Sequence, residues 1–165
     1  MKRRKTTVRE RYAYALALLI ILVLLLPFIR EWLQERRERQ GLYTVVYVTD
    51  GDTIIIRKGE EEEDLRLIGI DAPEKDTEEG QLSRRYLNDL LLGKEITLQY
   101  GIEEKDKYGR SLVYVWLKEE MINEKILKDG YAEPLIISPN DAYRVTFEAA
   151  YHEAVQQKRG LWAEK

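Results

Sequence analysis

Two carboxylates and an arginine fall within the nine residues from Arg66 to Glu74. There the alternating run L-R-L-I-G-I, which starts at Leu65, stops at Asp71-Ala72-Pro73-Glu74. A purely structural strand does not usually end on such a group of charges. An earlier D-G-D-T, Asp50–Thr53, places Asp52 at the end of a neighbouring strand. Asp52 and Asp71 can therefore face one hard cation. Their ligands are oxygen only, with no Cys or His cluster, which points to calcium or a similar ion and away from zinc. Arg66, in the same stretch, is a planar guanidinium whose paired donors suit phosphate oxygens. Hydrolysis of a phosphodiester needs a bound cation, an activated water and positive charge on the phosphoryl oxygens. These residue types could supply all three.

Composition narrows the alternatives. The 165 residues contain no cysteine and one histidine. Disulfides, thiol nucleophiles and Cys-based zinc sites are excluded, and Ser-His or Cys-His catalysis has almost nothing to work with. Charge is uneven along the chain. Residues 1–40 hold ten Lys/Arg against four Asp/Glu, whereas residues 41–165 hold 17 against 26. The net charge of −3 averages two unlike pieces.

The amino-terminal piece reads as a membrane anchor. Tyr12 to Ile29 is an uncharged run of 18 residues bounded by Arg11 and Arg30. As a helix it would span about 27 Å, close to the hydrocarbon thickness. A cleaved signal peptide has a shorter apolar core and a small-residue exit, but here the alanines stand at the start of the run. Six basic residues precede the span and four follow it. This bias places the amino terminus in the cytoplasm and the rest outside. The expected organisation is a basic cytoplasmic terminus over 1–11, a transmembrane signal-anchor helix over 12–29, a charged helical spacer over 30–40, and a domain over 41–165. The localisation that follows is a single-pass cell-membrane protein.

Within the domain, Leu42–Thr49 and Thr53–Arg57 read as strands joined by a turn at Asp50-Gly51-Asp52, where glycine would accept a positive φ. Lys58–Asp64 reads as a second turn with an acidic tip, and Leu65–Ile70 as the third strand. A helix is expected over Gly80–Leu92, and a strand over Glu95–Tyr100. A charged loop then covers Glu103–Arg110, and a fifth strand Ser111–Leu117. A short helix covers Met121–Lys128. A last helix, capped by Asn140 or Asp141, runs to about Lys158 with an apolar face of Ala142, Val145, Phe147, Ala150, Tyr151, Ala154 and Val155. Leu161-Trp162 can fold back on the core. This order predicts an α+β unit, mostly β, built on a small closed or partly closed antiparallel barrel of five strands with three helices.

In order and spacing, D-G-D-T, R-L-I-G-I-D-A-P-E, D-K-Y-G-R at Asp106–Arg110, I-N-E-K-I-L-K-D-G-Y-A at Ile122–Ala132 and G-L-W at Gly160–Trp162 resemble the staphylococcal nuclease (thermonuclease) family. The likeness covers Tyr43–Trp162 and implies a five-stranded OB-fold barrel. It implies a calcium-dependent (Ca2+) nuclease that cuts the 5′ P–O bond of DNA or RNA and leaves 3′-phosphates. Carried over residue by residue, Asp52, Asp71 and the main-chain carbonyl of Ala72 are the metal ligands, with Asp50 supporting them. Glu74 is the general base or orients the water, Arg66 and Arg110 clamp the phosphate, and Lys107 and Tyr108 contact substrate. A monomer tethered to the membrane is expected, acting on DNA and/or RNA.

The residues also admit plainer readings. Asp50 and Asp52 could only form a turn. Arg66 could pair with the Glu60–Asp64 loop, and Arg110 could be a hairpin charge. His152 reads as a surface or packing residue, and Tyr43, Tyr47, Tyr114 and Trp116 as core or flanking residues. The competing function is a non-catalytic OB-type module that binds nucleic acid or protein. Two departures from the family stand out. The two tyrosines that stack on the nucleotide align with Ile136 and Ser138, which predicts weaker base contact. The domain is also acidic, so positive charge must be concentrated locally, around Lys105, Lys107, Arg110, Arg66, Arg84 and Arg85.

Overall fold

The structure, a computed structural model, describes residues 25–27 and 42–163. The segments expected over 1–11 and 30–40, and all of 12–29 except 25–27, lie outside the described residues. Among the described residues no helix is long and apolar enough to cross a membrane. The chain divides into two units, Met1–Arg39 and Gln40–Lys165. The elements below belong to the second.

Three strands open it: β1 (Tyr43–Val48), β2 (Thr53–Lys58) and β3 (Glu61–Leu67). A short β4 (Gly69–Asp71) leads to helix α1 (Glu78–Leu91), then β5 (Glu95–Lys105), β6 (Ser111–Leu117) and β7 (Glu120–Met121). Helix α2 (Ile122–Lys128), β8 (Glu133–Leu135), helix α3 (Arg144–Gln156) and a 3-10 turn at Gly160–Trp162 complete the chain. The sheet runs β3-β2-β1-β5-β6-β7, and β3 also pairs with β6, which closes five strands into a barrel. The closing pairs, Leu65↔Ser111, Arg66↔Leu112 and Leu67↔Val113, are parallel. The barrel is therefore mixed, which corrects the antiparallel expectation. A sequential reading misses this pairing because β4, α1 and β5 separate the partners.

Element boundaries also differ. The acidic run Glu61–Asp64 is strand, paired with β2 from Lys58↔Glu61 onward, so the turn shrinks to Gly59-Glu60. Hairpin register overrides the poor strand propensity of glutamate there. The expected strand Leu65–Ile70 breaks at Ile68, after which β4 leaves the barrel to pair with β8. Gly69 makes the break possible. It has φ +80, and a Cβ there would lie 2.4 Å from the Phe147 ring. Strand β5 continues to Lys105, through residues expected to be loop. Helix α3 starts at Arg144 with Tyr143 at its cap, not Asn140 or Asp141. Asn140 is instead buried, accepting from Glu103 N at 3.1 Å and donating to Glu103 O at 2.9 Å. Val145 and Val155 on that helix face solvent. Phe147, Ala150 and Ala154 do bury, and Trp162 folds back edge-on to Tyr151 at 5.5 Å.

Strand β1 shows how local irregularity selects what is exposed. Tyr43 and Val45 point inward, the register then shifts between Val45 and Tyr47, and Val48 becomes the next buried residue. This bulge turns Tyr47 outward, as an added residue in one strand must.

The interior includes one polar anchor. Asn123 is fully buried; its Oδ1 accepts from Val115 N at 2.8 Å and its Nδ2 donates to Ile68 O at 2.8 Å. It ties α2 to the barrel where β3 ends. Asn123→Ala leaves a buried N–H and a buried C=O without this partner. We expect it to cost roughly 2–4 kcal/mol, read as a lower urea midpoint at unchanged slope. A midpoint equal to wild type would show that water replaces the side chain.

Candidate active site

The site lies where β2 begins, β3 ends and β6 begins. Asp52 precedes β2, and Thr53 pairs with Arg66 across the β2–β3 hairpin. The parallel closure then brings Arg110, just before β6, alongside. Asp50 shapes the first loop: its Oδ1 accepts from Asp52 N at 3.1 Å. Gly51 serves close approach, since a Cβ there would lie 2.5 Å from Ala72 Cβ and 2.7 Å from Ser83 Cβ. Its φ is not among the positive ones, which corrects the turn argument made from sequence.

Asp52 is 6% exposed. Its Oδ2 accepts from Ala72 N at 2.8 Å and pairs with Arg66 Nη1 at 2.6 Å. Its Oδ1 accepts from Thr53 Oγ1 at 3.1 Å. Arg66 Nη2 reaches Asp71 Oδ1 at 3.0 Å. One guanidinium therefore spans both predicted metal carboxylates, and Arg66 does not pair with the Glu60–Asp64 segment. Burial outweighs the Arg66 charge and the Ala72 N–H, and the Asp52 carboxyl is pushed up to about 7.

Arg110 is aimed by Asp106. Its Nε and Nη2 each reach Asp106 Oδ2 at 2.7 Å. The Oδ1 of Asp106 accepts from the backbone N–H groups of Tyr108 and Arg110. Burial alone would raise the Asp106 carboxyl, but the Arg110 hydrogen bond and these N–H groups together hold it below its ordinary value. Arg110 Nη1 lies 3.4 Å from Thr53 Oγ1. Thr53 thus links Arg110 to Asp52. Tyr108 is exposed, with Lys107 Nζ 4.9 Å and Arg110 Cζ 5.4 Å from its ring centroid.

The Glu74 carboxylate is exposed and has no side-chain partner among the described residues. Its main chain is held tightly. Glu74 O accepts from Thr77 N at 2.9 Å and from Thr77 Oγ1 at 2.7 Å. Thr77 caps α1 by accepting from Gly80 N at 3.0 Å, as a side-chain oxygen at the N-cap does.

A groove of about 490 Å³ runs beside these residues, bounded by Arg66, Lys107, Tyr108 and Arg110 on one side and by Leu135 and Ile137 on another. A larger groove of about 1210 Å³ elsewhere on the domain contains none of the predicted site residues. Leu135 and Ile137, not Ile136 and Ser138, are the side chains that face the site. Ile136 packs on the core. The segment is one step out of the register assumed from sequence, which corrects that alignment.

The set also fits a hard cation. Asp52 and Asp71 converge closely enough to share a single positive group. All their donors are oxygen, and burial holds the Asp52 carboxyl above its ordinary value. Among the described residues no three His, Cys, Asp or Glu side chains group to hold a metal. Main-chain oxygen and water would have to complete any coordination shell.

A family model described as "Staphylococcal nuclease homologue" matches residues 64–164. The chain belongs to the staphylococcal nuclease family. The thermonuclease of Staphylococcus intermedius is 41% identical over 126 residues, covering 73% of this chain and 75% of that protein. The thermonuclease of Staphylococcus hyicus is 36% identical over 147 residues, 83% of each. An uncharacterized endonuclease of Escherichia coli O157:H7 is 36% identical over 121 residues, covering 73% of this chain and 76% of that protein. This family member is accordingly a phosphodiester hydrolase of the thermonuclease type, with nucleic acid as its substrate class. Sequence reasoning did not single out Thr53 or Asp106 in this nuclease. Both were visible in D-G-D-T and D-K-Y-G-R, as the hydroxyl beside one carboxylate and as an acid four residues before the arginine.

Proposed function

We propose that this chain is a calcium-dependent nuclease that hydrolyses the 5′ P–O bond of DNA or RNA and leaves 3′-phosphates. The observation that carries the reading is the connected set Asp71–Arg66–Asp52–Thr53–Arg110, built from three separate chain segments. The barrel order with its parallel closure supports assignment to the OB type. Asp52, Asp71 and the Ala72 main chain would hold Ca2+, which when bound supplies Lewis-acid charge. Glu74, exposed and without a side-chain partner among the described residues, takes the proton of the attacking water. Arg110, aimed by Asp106, neutralises the phosphoryl oxygens and the leaving oxygen. Both terminal nitrogens of Arg66 lie on carboxylates, so it contacts phosphate by sharing or releasing one of them. Lys107 and Tyr108 meet the adjoining nucleotide, and Asp50 holds the Asp52 loop. Leu135 and Ile137 offer an aliphatic wall in place of an aromatic one. Lost stacking of about 1–3 kcal/mol per base favours weak base selectivity.

The test is digestion of single-stranded DNA and RNA by the full chain in detergent, with calcium and with chelator. We expect cutting only with calcium, and products that a polymerase cannot extend until a phosphatase removes their 3′-phosphates. Intact substrate with calcium present would sink the proposal. The uncharged run over 12–29 further supports a membrane tether, with 1–11 cytoplasmic and 41–165 outside. Protease added to intact cells then removes the domain; protection would reverse the topology.

Asp52 also predicts a pH signature. Its folded carboxyl lies at about 7 against an ordinary 3.8. The stability it contributes is complete below about pH 4 and is lost as pH rises through 7. In chelator, the thermal midpoint of the wild type is expected to fall as pH rises from about 4 to about 7 and to level off above that. Calcium, by stabilising the carboxylate, restores the loss. Asp52→Asn abolishes this pH dependence; a variant that retains it would assign the titration to another group.

A further inference from the structure

A second groove of about 530 Å³ abuts the site and shares no lining residue with the first. It is lined by Tyr47, Thr49, Lys75, Asp76, Gln81, Arg84 and Arg85. Thr49 adjoins Asp50, and Lys75 adjoins Glu74, so the groove ends at both acidic loops. The first turns of α1 join it to them. Ser83, next to Arg84, lies against Gly51, and Gly80 lies against Glu74 O.

Its charge is unlike that of the rest of the domain. Seven arginines lie among the described residues, and five of them pair with carboxylates: Arg57, Arg66, Arg110, Arg144 and Arg159. Arg84 and Arg85 do not, and both are in this groove, with Lys75 likewise free of an ion pair among the described residues. In a domain where acids outnumber bases, unpaired arginines side by side are a locally concentrated cation.

The groove is also shaped in advance. Arg84 Nε donates to Val48 O at 3.0 Å, and its Nη2 to Tyr47 Oη at 3.2 Å. Its Cζ lies 5.5 Å from the Tyr47 ring centroid. The β1 bulge leaves Tyr47 49% exposed. An aromatic face beside fixed and free guanidinium donors is what single-stranded nucleic acid requires, since bases stack and phosphates pair with arginine.

We propose that this groove is a second strand-binding site, which takes the phosphates and one base of a polynucleotide beyond the bond being cut. The proposal rests on the nuclease reading and extends it. It makes the protein a reader of strand length: a dinucleotide occupies the first groove only, whereas a longer strand reaches both.

The test measures binding of fluorescein-labelled dinucleotide and 12-mer single-stranded DNA to the full chain in chelator, by anisotropy. The wild type is expected to bind the 12-mer more tightly than the dinucleotide. In Arg85→Gln, and more so in the Arg84→Gln/Arg85→Gln double variant, that gain shrinks about tenfold. The slope of log affinity against log salt becomes shallower by about 1.4 for two lost contacts on a single strand. Lys94→Gln, an exposed lysine outside both grooves, keeps the wild-type gain. Arg85 is exposed and hydrogen-bonds Gln81 O within its own helix, so its single variant remains informative if the double variant misfolds. Unchanged length gain in Arg85→Gln overturns the proposal, as does loss of anionic-vesicle binding with the gain intact. Loss of the gain in a protein that never cuts DNA with calcium would support the groove and defeat the nuclease reading instead.

Discussion

Arg110→Gln is expected to lower kcat/KM on single-stranded DNA by about 10³-fold, the scale on which one preorganised donor to a transition-state oxygen acts. The fall should be in kcat more than in KM, because the charge it meets develops only as the phosphoryl group is attacked. The structure makes the expectation specific. Asp106 receives two nitrogens of Arg110 at 2.7 Å and leaves Nη1 directed at Thr53, beside Asp52. Arg110→Lys should recover little, since an ammonium cannot both hold Asp106 and present a second planar donor. Asp106→Asn should show an intermediate loss, because the guanidinium remains but is less firmly aimed. Arg110 is half-buried, and a surface-type ion pair contributes little to stability. The thermal midpoint of Arg110→Gln should accordingly stay near that of wild type. An Arg110→Gln enzyme with a tenth of wild-type activity or more would remove Arg110 from the chemistry.

Glu74→Gln is the second large effect, a fall in kcat of about 10²–10⁴-fold, as loss of a general base produces. KM should change little, since the side chain is exposed and unpaired among the described residues. A companion substitution separates position from chemistry. Gly80→Ala leaves the carboxylate in place, but its new Cβ would lie 2.0 Å from Glu74 O. The Glu74 loop must then move, and a displacement of this size in a catalytic group has a marked rate cost. If Gly80→Ala cuts at the wild-type rate while Glu74→Gln does not, the carboxylate is needed but its placement by α1 is not. If Glu74→Gln itself is fully active, another group activates the water.

Much of this was readable one residue at a time. Acid and arginine types, the absence of cysteine, and the spacing of five motifs point to oxygen-ligand, phosphate-directed chemistry. Alternating strands and the helix expected over Gly80–Leu92 have local causes. These signals depend on side-chain type and on neighbours three or four residues away, which the sequence displays directly.

What remained hidden depends on partners distant in the chain. The parallel β3–β6 closure decides that Arg66 and Arg110 are neighbours, and nothing near either residue announces it. The bulge in β1 decides that Tyr47 faces outward, because a single shift in register reverses which side chains bury. Asn140 looked like a helix cap and is a clasp on Glu103. The Leu135–Ile137 phase is set by pairing of β8 with β4. The sequence by itself determined the chemical inventory and the local elements; only the tertiary structure decided which charges pair and which remain free. Electrostatic energy depends on separation and burial, and neither exists until the barrel has closed.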